Sequence, residues 1–508
     1  MDDMKPDMEA RGRTWLGIDL GTSSVKAILM DEAGSVRASA TQPLAISHPH
    51  PRWSEQDPEA WWSATEAAVA EVLAGTDARR VAGIGLSGQM HGATLLDASD
   101  RVLRPAILWN DGRSDVECAE LERVPGFRAI TGNLAMPGFT APKLAWVRRH
   151  ERDVFDRVAK VLLPKDYLRL RLTGEYMTDA SDAAGTLWLD VEQRRWSDAM
   201  LAATGLDRSH MPQVLEGTQQ AGRLRRELAE RWGMDMVPVA AGGGDNAAGA
   251  VGVGIVRGGQ AMLSLGTSGV YFAVSDGFRS SPEQAVHSFC HALPDTWHLM
   301  SVMLNAASCL DFTARLTGQR DVPALLAEAE DRGLLKDGPM FLPYLTGERT
   351  PHNDPRVRGS FTHLGPDTDR ADLANATLEG VGLGLLDGLL AVESTGLVAE
   401  EITVIGGGSR SAYWTQMLAD ILGKRLVLRS GSEVGPALGA ARLARLASEP
   451  GASLEEVCPM PAITAAREPD AARHAYFLQT RHPLFRLSYD RLKPLYSDAA
   501  RGDDFRPS

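Results

Sequence analysis

Two four-residue stretches of this chain are identical and carry the groups that hold phosphate: Leu20-Gly21-Thr22-Ser23 and Leu265-Gly266-Thr267-Ser268. In such a turn glycine permits a positive backbone φ, successive N–H groups can converge on an anion, and the hydroxyls add donors. One copy alone reads as well as a plain hairpin turn. Two copies, one in each of two halves facing each other across a cleft, would clamp the phosphates of a nucleotide from both sides. Lys26 either adds positive charge beside the first copy or is a surface lysine at a strand end. Asp19 closes an otherwise apolar run just before that turn, where an ionised carboxylate needs a partner. It is either a turn-capping aspartate or a ligand, direct or through water, of Mg2+ carried on nucleotide phosphates, an ion that takes one or two carboxylates and keeps several waters.

Gly242-Gly243-Gly244-Asp245-Asn246 follows an apolar strand and opens the small-residue run AAGAVGVG. Asp245 has two readings. As a helix N-cap it would contribute about 1 kcal/mol. As a general base it would take the proton of a substrate hydroxyl as that oxygen attacks a γ-phosphorus. Three glycines allow close approach of a ligand, which favours the second. Gly406-Gly407-Gly408 likewise follows a short apolar strand, Thr403-Val404-Ile405, and leaves room for a flat ring or a phosphate. No GxxxxGK[ST] loop exists, which excludes the P-loop kinases. Gly83, Gly85 and Gly88 fit GxGxxG, but a strand-like run follows where a dinucleotide fold needs a helix. His287, Cys290 and His291 lack a further ligand to complete a metal set.

The elements that must position these groups are legible in outline. WLGIDLGTSSVKAILM, from Trp15 to Met30, reads as two strands joined by the turn, and AMLSLGTSGVYFAV, from Ala261 to Val274, repeats the layout. Between the copies, strand-like runs (Val81 to Leu86, Ala106 to Trp109, Val237 to Ala241) alternate with helical ones such as Pro58 to Leu73, the pattern of an α/β domain. Gly435 to Ala441 reads as a helix with a small face for close packing, and Ala471 to Tyr496 as a closing helix broken at Pro483. A chain of 508 residues exceeds a single growing core. The expected division is a disordered leader 1–14, domains 15–250 and 251–496, and a tail 497–508. Net charge of -13 argues against a nucleic-acid partner. The longest weakly polar run, Val237 to Val256, carries Asp245 in its middle, which argues against a membrane span. Four scattered cysteines without a CxxC pair, and no signal peptide, fit a reducing cytoplasm.

Taken in order, IDLGTS, GQMHG, WNDGR, GGGDN, SLGTSG, GERTPH and GGGSRSAYW resemble the FGGY carbohydrate kinases over nearly the whole chain. The resemblance implies two actin-like ATPase (ribonuclease H-like) domains facing each other across a cleft, sugar in the first and nucleotide in the second, with ATP and Mg2+ required. It makes Asp245 the proton acceptor and sets Asp19 near the metal and phosphates. Met90, His91 and Asn246 would contact the sugar, although His91 without the family reads as a satisfied core histidine. Gly266, Thr267 and Gly406 to Gly408 would face ATP. Gly88 to Gly92 followed by Ala106 to Arg113, with Asp182 to Thr186 and Val286 to Pro294, implies D-xylulose as acceptor, phosphorylated on its 5-hydroxyl in D-xylose catabolism. Another ketose or polyol is the alternative within the family, and an actin-like filament or chaperone without a sugar acceptor the alternative outside it. The partner expected is a small-molecule sugar, with no nucleic acid or membrane, and a homodimer is left open.

Overall fold

A computed structural model describes residues 12–334, 336–430 and 435–496. The expected tail, and the leader up to residue 11, lie outside the described residues. The first strand opens at Thr14, one residue inside the expected leader.

The chain forms two compact units, and the division is not the single cut expected near 250. The first unit holds the described chain up to Val256 and then recovers Phe289–Thr296 and the helix Gly435–Ser448 with the chain on to Met460. The second holds the remainder.

In the first unit a mixed sheet runs in the order Gln220–Arg223, Pro238–Ala240, Val81–Gly88, Thr14–Leu20, Ser24–Asp31, Val36–Pro43, with Gly243–Gly244 also paired to Val81–Gly88. Thr14–Leu20 is buried over most of its length, and apolar but for Thr14 and Asp19, because both faces are covered. Val36–Pro43 alternates exposed and part-buried residues, as an edge strand must. Helix Pro58–Leu73 begins where the sequence signals it: Asp57 accepts from Glu59 N at 3.0 Å and Pro58 takes the first turn. Its buried stripe of Trp61, Trp62, Thr65, Ala68, Val69 and Val72 packs on the outer strands of the sheet.

Helix Gly435–Ser448 covers the two central strands at backbone distance, and this accounts for glycines that are not part of any dinucleotide turn. A Cβ at Gly17 would lie 2.1 Å from Ala437 O, and one at Gly85 would lie 1.9 Å from Ala440 O. The same helix meets helix Asp245–Gly252, where a Cβ at Gly439 would lie 1.7 Å from Ala248 O. The small face read from Gly435 to Ala441 is therefore a seat for the strand of Asp19 and the helix of Asp245 together.

The second unit repeats the core plan. Ala261–Leu265 pairs antiparallel with Gly269–Ser275 and parallel with Glu401–Ile405, as Thr14–Leu20 does with Ser24–Asp31 and Val81–Gly88. Its 24-residue helix Arg370–Glu393 starts in a reciprocal cap between Asp369 and Asp372. Among the described residues it is the one helix long and apolar enough to cross a membrane, and it lies inside the unit's core rather than on a surface. The closing segment is not broken at Pro483: a π turn, Phe477–Arg481, joins Ala471–Tyr476 to His482–Leu492, and Pro483 sits in the first turn of the latter, where its missing N–H has no cost.

Candidate active site

Strand pairing assembles the acidic pair in the first unit. Asp19 and Gly243 both pair with Ser87, from its two sides. They are thus two strand spacings, about 10 Å, apart at the backbone. Two residues beyond Gly243 the chain turns into helix Asp245–Gly252. Gly242 makes that turn in the left-handed region at φ 77°, with Leu86 O so close that no side chain fits.

The N-cap of the helix is Gly244, and Asp245 is the first helical residue, so its carboxylate is not a cap. Asp245 Oδ1 instead accepts from Asn246 N at 2.7 Å and from Asn246 Nδ2 at 2.9 Å. Burial first, and then the nearby Asp19 charge, push the Asp245 carboxyl up to about 7, with the Asn246 donors offsetting part of the rise. A carboxylate tuned to that range can both hold and release a proton near neutrality. Burial likewise raises Asp19 to about 6, against the lowering effects of Ser87 and of Lys26, its cross-strand partner. Asp19 Oδ1 is buried without a hydrogen-bond partner. Because like charge couples the two carboxyls, Asp19→Asn is expected to lower the Asp245 pKa from about 7. Carboxyl 13C NMR titration of the ligand-free protein checks this, and an unmoved or raised value would show that the pair does not interact.

Met90 reaches the same turn, and the His91 ring lies beside the Met90 methyl at Gly185. A Cβ at Gly244 would lie 2.9 Å from Met90 Cγ, so Met90 packs directly on the residue before Asp245. His91 has φ 70°, a left-handed conformation uncommon outside glycine and a mark of a functional constraint. Its carbonyl is held by Lys143 Nζ at 2.8 Å and Thr140 Oγ1 at 3.2 Å. Its ring donates from Nδ1 to Gly185 O at 2.7 Å and stands edge-on to Phe139. Lys143 is fully buried, and burial drives its ammonium well below the usual lysine range. Nothing local in the sequence marks Lys143; its role comes from the 52 residues of chain that fold it back onto His91.

The phosphate-type turns differ from expectation in one respect. Neither Gly21 nor Gly266 has a positive φ; Gly21 N donates to Ser24 O at 2.9 Å and Gly266 N to Ser268 O at 3.1 Å, which keeps both turns tight. Neither glycine serves a left-handed bend: a Cβ at Gly266 would meet nothing nearer than 3.7 Å, whereas one at Gly21 would lie 3.1 Å from Ser24 O. Ser23 is exposed, and its carbonyl accepts from Leu44 N at 2.8 Å. In the second unit Thr267 O accepts from Ala306 N and Ser308 Oγ. Gly406, at φ 90°, and Gly408 both abut Leu265, so the glycine triad lies against the Gly266-Thr267 turn, with open space beside Gly407. Met90, Asp245 and Asn246, with His91 beside Met90, thus come together in the first unit, and the triad 406–408 with Gly266 and Thr267 in the second. His287, Cys290 and His291 form no metal-holding group among the described residues.

The chain matches the N-terminal domain of the FGGY family of carbohydrate kinases over residues 14–252 and the C-terminal domain of that family over residues 261–448. It is 59% identical over 482 residues to the xylulose kinase of Escherichia coli (strain K12), covering 95% of this chain and 99% of that protein. It is 58% identical over 485 residues to the xylulose kinase of Klebsiella pneumoniae, covering 95% and 100%. The crystal structure of a xyloylose kinase from Brucella ovis superposes with a TM-score of 0.91 at 50% identity, over 95% of this chain and all of that one.

Proposed function

The chain belongs to the FGGY family of carbohydrate kinases, and we propose that it transfers the γ-phosphoryl group of ATP to the 5-hydroxyl of D-xylulose with Asp245 as general base. The sugar oxygen forms the new bond to phosphorus, the bond from that phosphorus to the β-phosphate bridging oxygen breaks, ADP leaves, and the hydroxyl proton passes to Asp245. The observation that carries the reading is Met90 packed on Gly244 beside an aspartate whose carboxyl is raised to about 7. The high identity to xylulose kinases over almost the full chain supports D-xylulose as acceptor.

Met90, His91 and Asn246 are assigned to the sugar. Gly21, Thr22, Ser23 and Lys26 are assigned to phosphate on the first unit, and Gly266, Thr267 and Gly406 to Gly408 to nucleotide on the second. Asp19 fits Mg2+: its Oδ1 is a buried acceptor without a partner, and one carboxylate suffices for an ion that is also held by nucleotide phosphates. Bound there, the ion would neutralise charge on the transferring phosphates. The four cysteines are free and buried, which supports a reducing, cytoplasmic setting.

A coupled ADP-release assay with D-xylulose, D-ribulose, L-fuculose, glycerol and 1-deoxy-D-xylulose tests the assignment. D-xylulose is expected to give a kcat/KM at least about tenfold above each of the others. A higher value for any other acceptor would replace the substrate, and ATP turnover indifferent to sugar would favour an actin-like ATPase.

A further inference from the structure

The Thr22 side chain, on the first phosphate-type turn, is joined to the Met90-His91 strand end by a chain of hydrogen bonds whose direction is fixed throughout. Trp61 Nε1 can only donate, and it donates to Gln56 Oε1 at 3.0 Å. Gln56 Nε2 must then be the donor end of that amide, and it donates to two carbonyls, Thr22 O at 2.7 Å and Ala45 O at 3.1 Å. Gln56 Oε1 also accepts from Gln89 Nε2 at 3.0 Å, which leaves Gln89 Oε1 to accept from Thr22 Oγ1 at 3.0 Å. Thr22 Oγ1 in turn accepts from Trp109 Nε1 at 2.9 Å. Gln56 and Gln89 are buried, and every polar atom of the two side-chain amides has a partner.

Two consequences follow. The single hydroxyl proton of Thr22 is committed to Gln89, so this hydroxyl is a joint of the turn rather than a donor to phosphate. Gln89 also holds the strand end to the turn through its backbone, N donating to Leu20 O at 2.8 Å, and it is followed directly by Met90 and His91. Trp109, the outer member, has an exposure of 44%, so the chain runs from a solvent-facing ring to a buried amide pair. A fully satisfied buried network of this kind moves as a unit, because displacing one member strands the polar atoms of the next.

We propose that Gln56, Gln89 and Trp109 are positioning residues that couple sugar occupancy at Met90 and His91 to the phosphate-holding turn through the Thr22 hydroxyl, so that sugar and nucleotide strengthen each other's binding. This rests on the assignment of sugar and phosphate made above. The coupling is reciprocal: the factor by which D-xylulose tightens the nucleotide equals that by which nucleotide tightens D-xylulose.

Calorimetric titration of the full chain with a non-hydrolysable ATP analogue, with and without saturating D-xylulose, reads that factor directly. The unsubstituted protein is expected to show a ratio of dissociation constants of about fivefold or more. Thr22→Ser, which keeps the hydroxyl, is expected to retain it. Thr22→Val and Trp109→Phe are expected to bring it to within about twofold of unity. Trp109→Phe removes one N–H from an exposed ring, so it decides the matter even if Thr22→Val does not fold. A purely structural role would weaken both ligands and leave the ratio intact. Retention of the ratio in the variants, or its absence in the unsubstituted protein, overturns the proposal. A protein that phosphorylates D-xylulose yet shows either result loses only this inference, whereas one that neither binds nor phosphorylates D-xylulose loses the functional reading itself.

Discussion

Asp245→Asn is expected to lower sugar-dependent ATP turnover by about 10²- to 10⁴-fold, the range that a positioned general base supplies, while binding of an ATP analogue persists. The substitution suits the site. Asn keeps an oxygen that can accept from Asn246 N and removes only the capacity to take a proton. The candidate nucleotide contacts Gly266, Thr267 and Gly406 to Gly408 lie on the second unit, and Gly21, Thr22, Ser23 and Lys26 lie on another turn of the first, so the substitution changes none of them. The same change has an opposite effect on stability. The folded-state pKa of Asp245 is raised from 3.8 to about 7, so the folded protein binds this proton more tightly than the unfolded chain. Stability from this group is full below about pH 4, falls as pH rises through 7, and stays low above it. Asp245→Asn escapes that loss. Above pH 7 it is expected to be the more stable protein by about 1–3 kcal/mol, allowing for the partial exposure of the carboxylate, and the advantage should vanish towards pH 4. Urea unfolding at pH 5 and pH 8 beside steady-state kinetics measures both halves. Near-normal turnover in this variant would remove Asp245 from the mechanism, and a stability difference independent of pH would deny its raised pKa.

The parts of this site that were legible in the sequence are those encoded within a few residues. The repeated Leu-Gly-Thr-Ser marks two hairpins because strand, turn and strand are contiguous, and both hairpins occupy equivalent places in the two sheets. The glycine triads were legible for the same reason: each follows its strand directly, and each first glycine takes a positive φ. The helix Gly435–Ser448 was readable as a close-packing helix, but not as a member of the first unit, because its alanines and glycines would suit either sheet. Only Gly17, Gly85 and Gly439, brought together from distant parts of the chain, decide it. Asp245 was misjudged as a possible cap because cap and first helical residue differ by one position, within the ordinary uncertainty of helix ends. Gln56, Lys143 and Lys165 were invisible. A polar residue gains such a role only when long-range packing removes its water, and no local pattern records that.

Lys165 is where this dependence is greatest, and Lys165→Met is expected to destabilise the first unit by about 3–5 kcal/mol, the cost of stranding buried charge. Its ammonium has no exposure and lies 2.7 Å from Asp166, 2.7 Å from Asp179 and 3.0 Å from Asp182, all equally buried. Burial alone would depress this lysine, and the three carboxyls more than reverse that. Asp166 is lowered by Lys165 and Arg169 against its own burial, and Asp179 pairs with Lys165 and accepts from Ser181 N at 2.8 Å. Asp182 is different: burial, with Asp166 and Asp179 beside it, raises it well above the usual carboxylate range despite Lys165. Asp182→Asn keeps the shape of this carboxyl and leaves Lys165 in place, and is expected to cost about 1 kcal/mol or less. The contrast between the two variants isolates the Lys165 charge, since only Lys165→Met removes the ammonium that Asp166 and Asp179 pair with. The cluster also reaches the turn before Asp245. Asp179 accepts from Ser181 Oγ, Ser181 Oγ accepts from Gly244 N at 3.1 Å, and Arg169 donates to Ala241 O. Lys165→Met should thus loosen the strand-to-helix turn that presents Asp245 as well as unfold more readily in urea. Equal midpoints for the two variants would mean that Lys165 carries no unshared charge in the folded protein.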